Sequence, residues 1–131
     1  MSRRVLLDTH ALLWWGFNDP RLSARAVEAI QDSGVVVYSV ASLWETGVKA
    51  ALGRFDFELS SDWHVRLCGR ADEYQIAECR ITPEHCRKVQ DLPKLHGDPF
   101  DRMLVAQAEV EGLQIVSADG VLDRYGVVRI W

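Results

Sequence analysis

The chain has 131 residues, of which 48% are hydrophobic and 26% charged, the balance of an ordinary globular domain. This composition excludes a disordered chain and a collagen-like fibre, and no apolar run approaches the ~18 residues of a membrane helix. The net charge of −4, from 15 basic and 19 acidic residues, is unlike that of a strongly basic nucleic-acid binder. Without repeats or a Ser/Gly-rich linker, we expect a single domain over residues 1–131.

The N-terminal residues and the cysteines indicate the compartment. The first apolar run, residues 5–7, is cut by Asp8, whereas a signal peptide needs about 7–15 apolar residues there. The three cysteines, Cys68, Cys79 and Cys86, are an odd number without CxxC spacing and fit a reducing environment. We therefore expect a cytoplasmic protein with no membrane association.

Short apolar runs predict strands, and apolar residues at helical spacing between caps and glycines predict helices. In chain order the predicted elements are a strand at 5–7, a helix beginning near 9–11, a helix capped by Ser23, a strand at 35–38, a helix from Ser39 to Gly53, a helix at 60–71, a weaker strand at 76–81, helices opened by Thr82-Pro83 and Asp98-Pro99, and strands at 113–116 and 127–130. Because strands alternate with helices, we expect an α/β protein with a parallel sheet covered on both sides.

Four acidic residues share a position relative to these predicted strands. Asp8 ends the first strand, Glu45 lies in the helix after the second, Asp101 is in the first turn of a later helix, and Asp119 follows the fourth strand. Since ligands of open α/β sheets bind outside the carboxyl ends of the strands, these acids can converge. Clustered carboxylates are stable mainly when a cation neutralises them, and oxygen ligands favour Mg²⁺ or Mn²⁺.

The segments around these acids resemble the PIN-domain family, and in particular the VapC-like toxins of type II toxin–antitoxin pairs. The segments are LLDTHALLWW (6–15), SVASLWETGVKAALGR (39–54), LPKLHGDPFDRMLVAQA (92–108) and SADGVLDRY (117–125). The resemblance covers nearly the whole chain in order and spacing, and the block HGDPFDRMLVAQA is its most specific part.

This resemblance implies a fold, an activity and partners. The fold would be three-layer α/β/α, with a parallel sheet of four to five strands in the order 3-2-1-4-5. The activity would be Mg²⁺- or Mn²⁺-dependent endoribonuclease cleavage of RNA phosphodiester bonds by metal-activated water. Asp8, Glu45, Asp101 and Asp119 match the family's acids, as catalytic and metal-binding residues. The partners would be RNA, a VapB-like antitoxin lying across the active-site groove, and a second copy of the chain in a homodimer.

Glu45 has a second interpretation, as a surface ion pair with Lys49 four residues later. The apolar neighbours Leu43, Trp44 and Val48 predict that much of this helix is buried, which favours the site.

Four further residues lie next to the acids in sequence and are assigned to substrate contacts: Thr9, Lys49, Arg102 and Ser117. Lys49 and Arg102 could neutralise a carboxylate or hold a phosphate. Asp98 directly precedes Pro99, a pattern typical of a helix N-cap. Asp123 either joins the site or is a solvated helix charge.

Two other functions compete with the nuclease. A phosphoacceptor receiver domain needs two adjacent acids near the first strand and an acceptor Asp after the third, and the sequence has neither. A PIN-fold protein acting only as a binding partner would not need all four acids. The apolar residues Trp14, Trp15 and Phe17 predict a homodimer or antitoxin surface on the first helix.

Overall fold

Five short strands form one parallel sheet, flanked by six α-helices among the described residues. The structure is a computed structural model and describes residues 2–55 and 58–131. Its elements in chain order are β1 (Arg4–Leu7), α1 (Thr9–Gly16), α2 (Ala24–Asp32), β2 (Val35–Ser39), α3 (Val40–Ala51), α4 (Trp63–Glu73), β3 (Ala77–Cys79), α5 (Pro83–Asp91), α6 (Pro99–Glu111), β4 (Gln114–Val116), a 3₁₀ helix (Gly120–Tyr125) and β5 (Arg129–Ile130). In this part of the chain, no helix is both long and apolar enough to cross a bilayer.

The strand order is β3-β2-β1-β4-β5, which confirms the order 3-2-1-4-5. All neighbouring strands are parallel. In the central strand β1, Leu7 is in register with Tyr38 of β2 and Val116 of β4. The three central strands therefore end together, and the residue after Leu7 lies in the middle of the carboxyl edge.

The core lies on both faces of the sheet, because successive strand residues point to opposite sides. Val5 and Leu7 join a cluster formed with α1, α2 and α4, while Leu6 joins a second cluster formed largely with α6. All three residues are fully buried, as expected of a strand covered on both faces. The three-layer α/β/α prediction is confirmed.

Most predicted helix ends coincide with observed caps. The side chains of Ser23, Ser39 and Thr82 accept hydrogen bonds from the amides of Ala26, Ala41 and His85, respectively. Gly112 ends α6 in the left-handed conformation, with φ 67° and ψ 46°.

Three predicted elements have other bounds in the structure. The strand predicted at 76–81 is only Ala77–Cys79. Helix α4 begins at Trp63, not at residue 60, because the Ser60 hydroxyl donates to the Asp62 carboxylate and the intervening residues form a turn. The last strand is only Arg129–Ile130, and a 3₁₀ helix that the periodicity did not specify precedes it.

Two glycine-to-alanine changes should have opposite effects on stability. At Gly112 the positive φ strains any side chain, so Gly112→Ala should lower the free energy of unfolding by about 1 kcal/mol. Gly69 is an exposed position within α4 with open space where an alanine Cβ would lie, so Gly69→Ala should raise it by about 0.5–1 kcal/mol. Urea unfolding of both variants measures these changes. A free energy of unfolding that rises in both variants, or falls in both, would contradict the prediction.

Candidate active site

An acidic cavity of about 130 Å³ opens at the carboxyl edge of the sheet. It is lined by Asp8, Thr9, His10, Glu45, Lys49, Asp98, Asp101 and Asp119. The structure thus brings together all four acids that the sequence singled out, from the ends of β1 and β4 and from helices α3 and α6. This set of residues is called the acidic cavity below.

Asp8 lies at the floor of the acidic cavity, between β1 and α1, with only 6% of its surface exposed. It caps α1, since its Oδ1 accepts from the Ala11 amide at 2.8 Å. Burial raises the pKa of Asp8 to about 6, and the charges of Glu45 and Asp119 add to this. Hydrogen bonds from Ser117 and Ala11 act in the opposite direction without cancelling the rise. Asp8 is therefore a buried carboxyl whose ionisation is disfavoured.

Glu45 is buried and fully engaged by its neighbours. Its Oε1 accepts from the Thr9 hydroxyl at 2.5 Å, and its Oε2 accepts from the Lys49 ammonium. Burial would lower the pKa of Lys49, but the hydrogen bond and charge of Glu45, with the charges of Asp98 and Asp101, raise it. Glu45 is therefore both a residue of the site and the partner of Lys49 in an ion pair, because that ion pair lies in the cavity wall.

Glu45 is not buried by its apolar neighbours in sequence, so that part of the prediction was wrong. Trp44 and Val48 are 62% and 37% exposed and do not cover the helix. Glu45 is buried because it lies on the opposite face of α3, with the buried Ser42 and Thr46, toward α1. Apolar neighbours in sequence did not show which face of the helix was covered.

Asp101 lies in the first turn of α6, and Asp98 caps that helix. The Asp98 Oδ1 accepts from the amides of Phe100 and Asp101, at 2.9 and 3.2 Å. Burial, followed by the charges of Asp98, Glu45 and Asp8, raises the pKa of Asp101 to about 6. His96 Nε2 lies 3.5 Å from Asp101 Oδ2, at the limit of hydrogen-bond range. Asp98 is thus both a cap and a wall of the acidic cavity.

Asp119 lies at the exposed rim of the cavity and Ser117 beneath it. Asp119 caps the 3₁₀ helix by accepting from the Val121 amide at 3.0 Å, and its own amide donates to the Ser117 hydroxyl oxygen at 3.0 Å. Ser117 is fully buried and holds Asp8, so it is placed to position carboxylates rather than to contact substrate. Asp123 lies outside the cavity, in an ion pair with Arg129.

Arg102 does not line the acidic cavity, although the sequence placed it near substrate. Its guanidinium donates to the carbonyl oxygens of Pro93, Val89 and Leu92 and to the Tyr125 hydroxyl. These bonds satisfy carbonyl groups at the end of α5, where a cation also complements the helix dipole. We therefore leave Arg102 out of the substrate set.

Two histidines at the cavity are not among the site residues that the sequence predicted. His10 lines the cavity directly, and His96 contacts Asp101 from just outside it. Their only sequence signal was position, since His10 follows Asp8-Thr9 and His96 precedes Gly97-Asp98.

The donor chemistry of the acidic cavity fits a hard divalent cation. Its acids offer only oxygen, and two of them, Asp8 and Asp101, have pKa values raised by burial and then by the charges of neighbouring carboxylates. Among the described residues, no three His, Cys, Asp or Glu side chains already form a ready-made metal cluster. The carboxylates instead have partners of their own, so binding a cation requires some of these contacts to rearrange.

A family model for the PIN domain matches residues 5–128. The chain belongs to the PIN-domain family. It is 30% identical over 123 residues to Ribonuclease VapC22 of Mycobacterium tuberculosis, an alignment that covers 88% of this chain and 86% of that relative.

Two solved structures share the fold of this PIN domain. VapBC2 from Rickettsia felis, bound to a DNA fragment from its promoter, matches with a TM-score of 0.67 at 11% identity, covering 95% of this chain and 96% of that chain. FitAcB from Neisseria gonorrhoeae matches with a TM-score of 0.60 at 17% identity, covering 95% of each. At these identities the two structures establish the fold alone.

Replacing Asp101 should stabilise this PIN domain in the absence of metal. A carboxyl whose folded pKa lies above its unfolded value costs stability progressively as the pH rises past the unfolded value, and the cost is complete above the folded pKa, here about 6. In EDTA, Asp101→Asn should therefore raise the melting temperature at pH 7.5 by about 3 °C or more, and by less at pH 5.

The matched control is Asp123→Asn. Ion pairing with Arg129 lowers the pKa of Asp123, so the same change there should give no such rise at pH 7.5. A melting temperature of Asp101→Asn that is unchanged, or that rises more at pH 5, would contradict the assigned charge repulsion.

Proposed function

We propose that this PIN domain is a divalent-metal-dependent endoribonuclease and the toxin of a type II toxin–antitoxin pair, acting in the cytoplasm. The observation that carries the proposal is the acidic cavity, in which the buried Asp8 and the partly buried Asp101 have raised pKa values at the carboxyl edge of the sheet. The 30% identity to a ribonuclease supports the same activity and favours RNA over DNA.

The residues of the acidic cavity divide into those that would hold the cation and those that hold the acids. Asp8 and Asp101 would bind Mg²⁺ or Mn²⁺, with Asp119 at the rim. Glu45 is the fourth carboxylate and would be a ligand only when its ion pair with Lys49 opens. When bound, the cation supplies Lewis-acid activation of water and stabilises charge on the phosphodiester. Thr9 and Ser117 orient Glu45 and Asp8 through their hydroxyl groups.

Lys49 is the basic residue that lines the acidic cavity. Its ammonium group pairs with Glu45, but 28% of the side chain is exposed, so it can also face a phosphate, and we retain it in the substrate set. Thr9 is buried and its hydroxyl donates to Glu45, so, like Ser117, it positions a carboxylate instead of contacting substrate.

The alternative of a receiver-like domain does not fit the sheet. Receiver-type doubly wound sheets have the strand order 2-1-3-4-5, whereas this sheet has β1 at the centre of the order 3-2-1-4-5. A protein that only binds a partner would have no need for carboxyl groups with raised pKa values, such as Asp8 and Asp101, because such groups cost stability.

A VapB-like antitoxin would complement the charge of the acidic cavity. Its lining carries five carboxylates, from Asp8, Glu45, Asp98, Asp101 and Asp119, against one ammonium group. A cationic side chain on the antitoxin's C-terminal segment would be attracted to this excess negative charge. Such a segment would also occlude the cavity from RNA.

The face that we assign to a homodimer is on α3, not on α1 as the sequence suggested. Trp15 packs edge-on against Tyr74 with Arg70 over its ring, and of the three predicted aromatic residues only Phe17, at the end of α1, is exposed. On α3, by contrast, Trp44, Val48 and Leu52 at positions i, i+4 and i+8 are all exposed.

The outward face of α3 also lacks charge. Its other exposed residues are Ala50 and Ala51, and Gly47 has open space where a Cβ would be, so another helix could approach closely. A solvent-facing helix normally carries charged residues on this side. In a dimer with a two-fold axis, α3 of each chain would pack against α3 of the other, which would bury this stripe on both chains.

Lysines on this stripe should prevent dimerisation. The double variant Val48→Lys/Leu52→Lys places charges where the second copy would pack, so light scattering should give the mass of one chain instead of two. Val65→Lys is the matched control, since Val65 is an exposed valine on α4, and it should remain dimeric. A double variant that stays dimeric would place the interface elsewhere.

Asp8→Asn and Asp101→Asn should each reduce RNA cleavage at least about 100-fold while the protein remains folded, because each removes a proposed metal ligand. EDTA should abolish wild-type cleavage in the same assay. Asp123→Asn, outside the acidic cavity, should cleave at the wild-type rate. Full activity in EDTA would refute the metal-dependent function.

A further inference from the structure

Lys49 occupies a particular place in the acidic cavity. Its ammonium group pairs with Glu45 one helical turn away, and 28% of the Lys49 side chain and 4% of the Glu45 side chain are exposed. The other Glu45 oxygen accepts from Thr9. Both oxygens of Glu45 are thus taken by groups of the chain itself.

Two other acids of the cavity, Asp8 and Asp101, have no ammonium partner among the described residues. Asp8 accepts hydrogen bonds from neutral groups, the Ala11 amide and the Ser117 hydroxyl, and lies among the carboxylates of Glu45 and Asp119. Asp101 is bordered by Asp98, Glu45 and Asp8, with His96 at 3.5 Å. In the part of the chain that the structure describes, the cavity therefore has one carboxylate, Glu45, with an ammonium partner, and two further acids, the buried Asp8 and the partly buried Asp101, without one.

We propose that Lys49 is a built-in counter-cation of Glu45 that limits the acidic cavity to one divalent cation, held at Asp8 and Asp101. The inference rests on the proposed function for the presence of the metal. A second ion at Glu45 would have to displace the ammonium group and would be repelled by it, because two cations would share one buried carboxylate. Glu45 becomes available as a ligand only when Lys49 gives way.

The test is calorimetric titration of the full chain with Mn²⁺ at pH 7.5 and constant ionic strength. The wild-type chain should bind one ion. Lys49→Met leaves Glu45 without its cation, so it should bind either a second ion or one ion at least about tenfold more tightly. Lys49→Arg keeps the positive charge and should bind one ion, as the wild type does.

The matched control for loss of a paired lysine is Lys88→Met. Lys88 pairs with Glu109 at 3.0 Å between α5 and α6, away from the acidic cavity, so this variant should titrate like the wild type. Circular dichroism establishes that each variant is folded, and Lys49→Gln replaces Lys49→Met if the methionine variant does not fold.

The outcomes separate this inference from the proposed function. Two ions bound by the wild type, or a Lys49→Met titration identical to that of the wild type, would overturn the role of Lys49 even if RNA is cleaved. One ion in the wild type and tighter or additional binding in Lys49→Met would support it even if a parallel assay detects no RNA cleavage, which would then count against the nuclease alone.

Discussion

Negative charge buried at the carboxyl edge of the sheet is the constraint on which the site depends. Asp8 is buried, Asp101 is partly buried, and both lie near other carboxylates, so ionising them is unfavourable and their pKa values rise to about 6. A fold optimised for stability alone would not keep such groups, which indicates that they serve a ligand. A divalent cation is the ligand whose charge and preference for oxygen match them.

The topology explains how distant residues reach one point. Because β1 is central and in register with β2 and β4, the segments that leave these strands begin side by side. Helix caps then fix the acids, since Asp8, Asp98 and Asp119 each accept a hydrogen bond from the amide of a following residue. The bonds that begin the helices therefore also hold the carboxylates at the acidic cavity.

The sequence predicted those features that depend on short-range chemistry. Strand runs such as residues 5–7, caps such as Ser23 and Thr82, and the terminating Gly112 are local patterns with direct physical causes. The convergence of the acids followed from the alternation of strands and helices together with the family resemblance. The start of α4 was missed because a hydrogen bond between Ser60 and Asp62 favours a turn there.

Features that depend on which face packs against what could not be inferred in this way. Trp44 is mostly exposed although its neighbour Glu45 is buried, and Arg102 turns toward the end of α5 although Asp101 lines the cavity. Adjacent helical residues point in directions about 100° apart, so sequence proximity to an acid does not place a side chain at the site. Only the packing of α3 and α6 against their neighbours determined these orientations.

The most direct test of the central claim is the melting temperature of the wild-type chain at pH 7.5 in Mg²⁺ and in EDTA with NaCl at equal ionic strength. If the carboxylates of Asp8 and Asp101 hold a divalent cation, Mg²⁺ should raise the melting temperature in a concentration-dependent way, because a ligand that binds only the folded state stabilises it. An unchanged melting temperature at Mg²⁺ concentrations that saturate the cleavage assay would contradict the account.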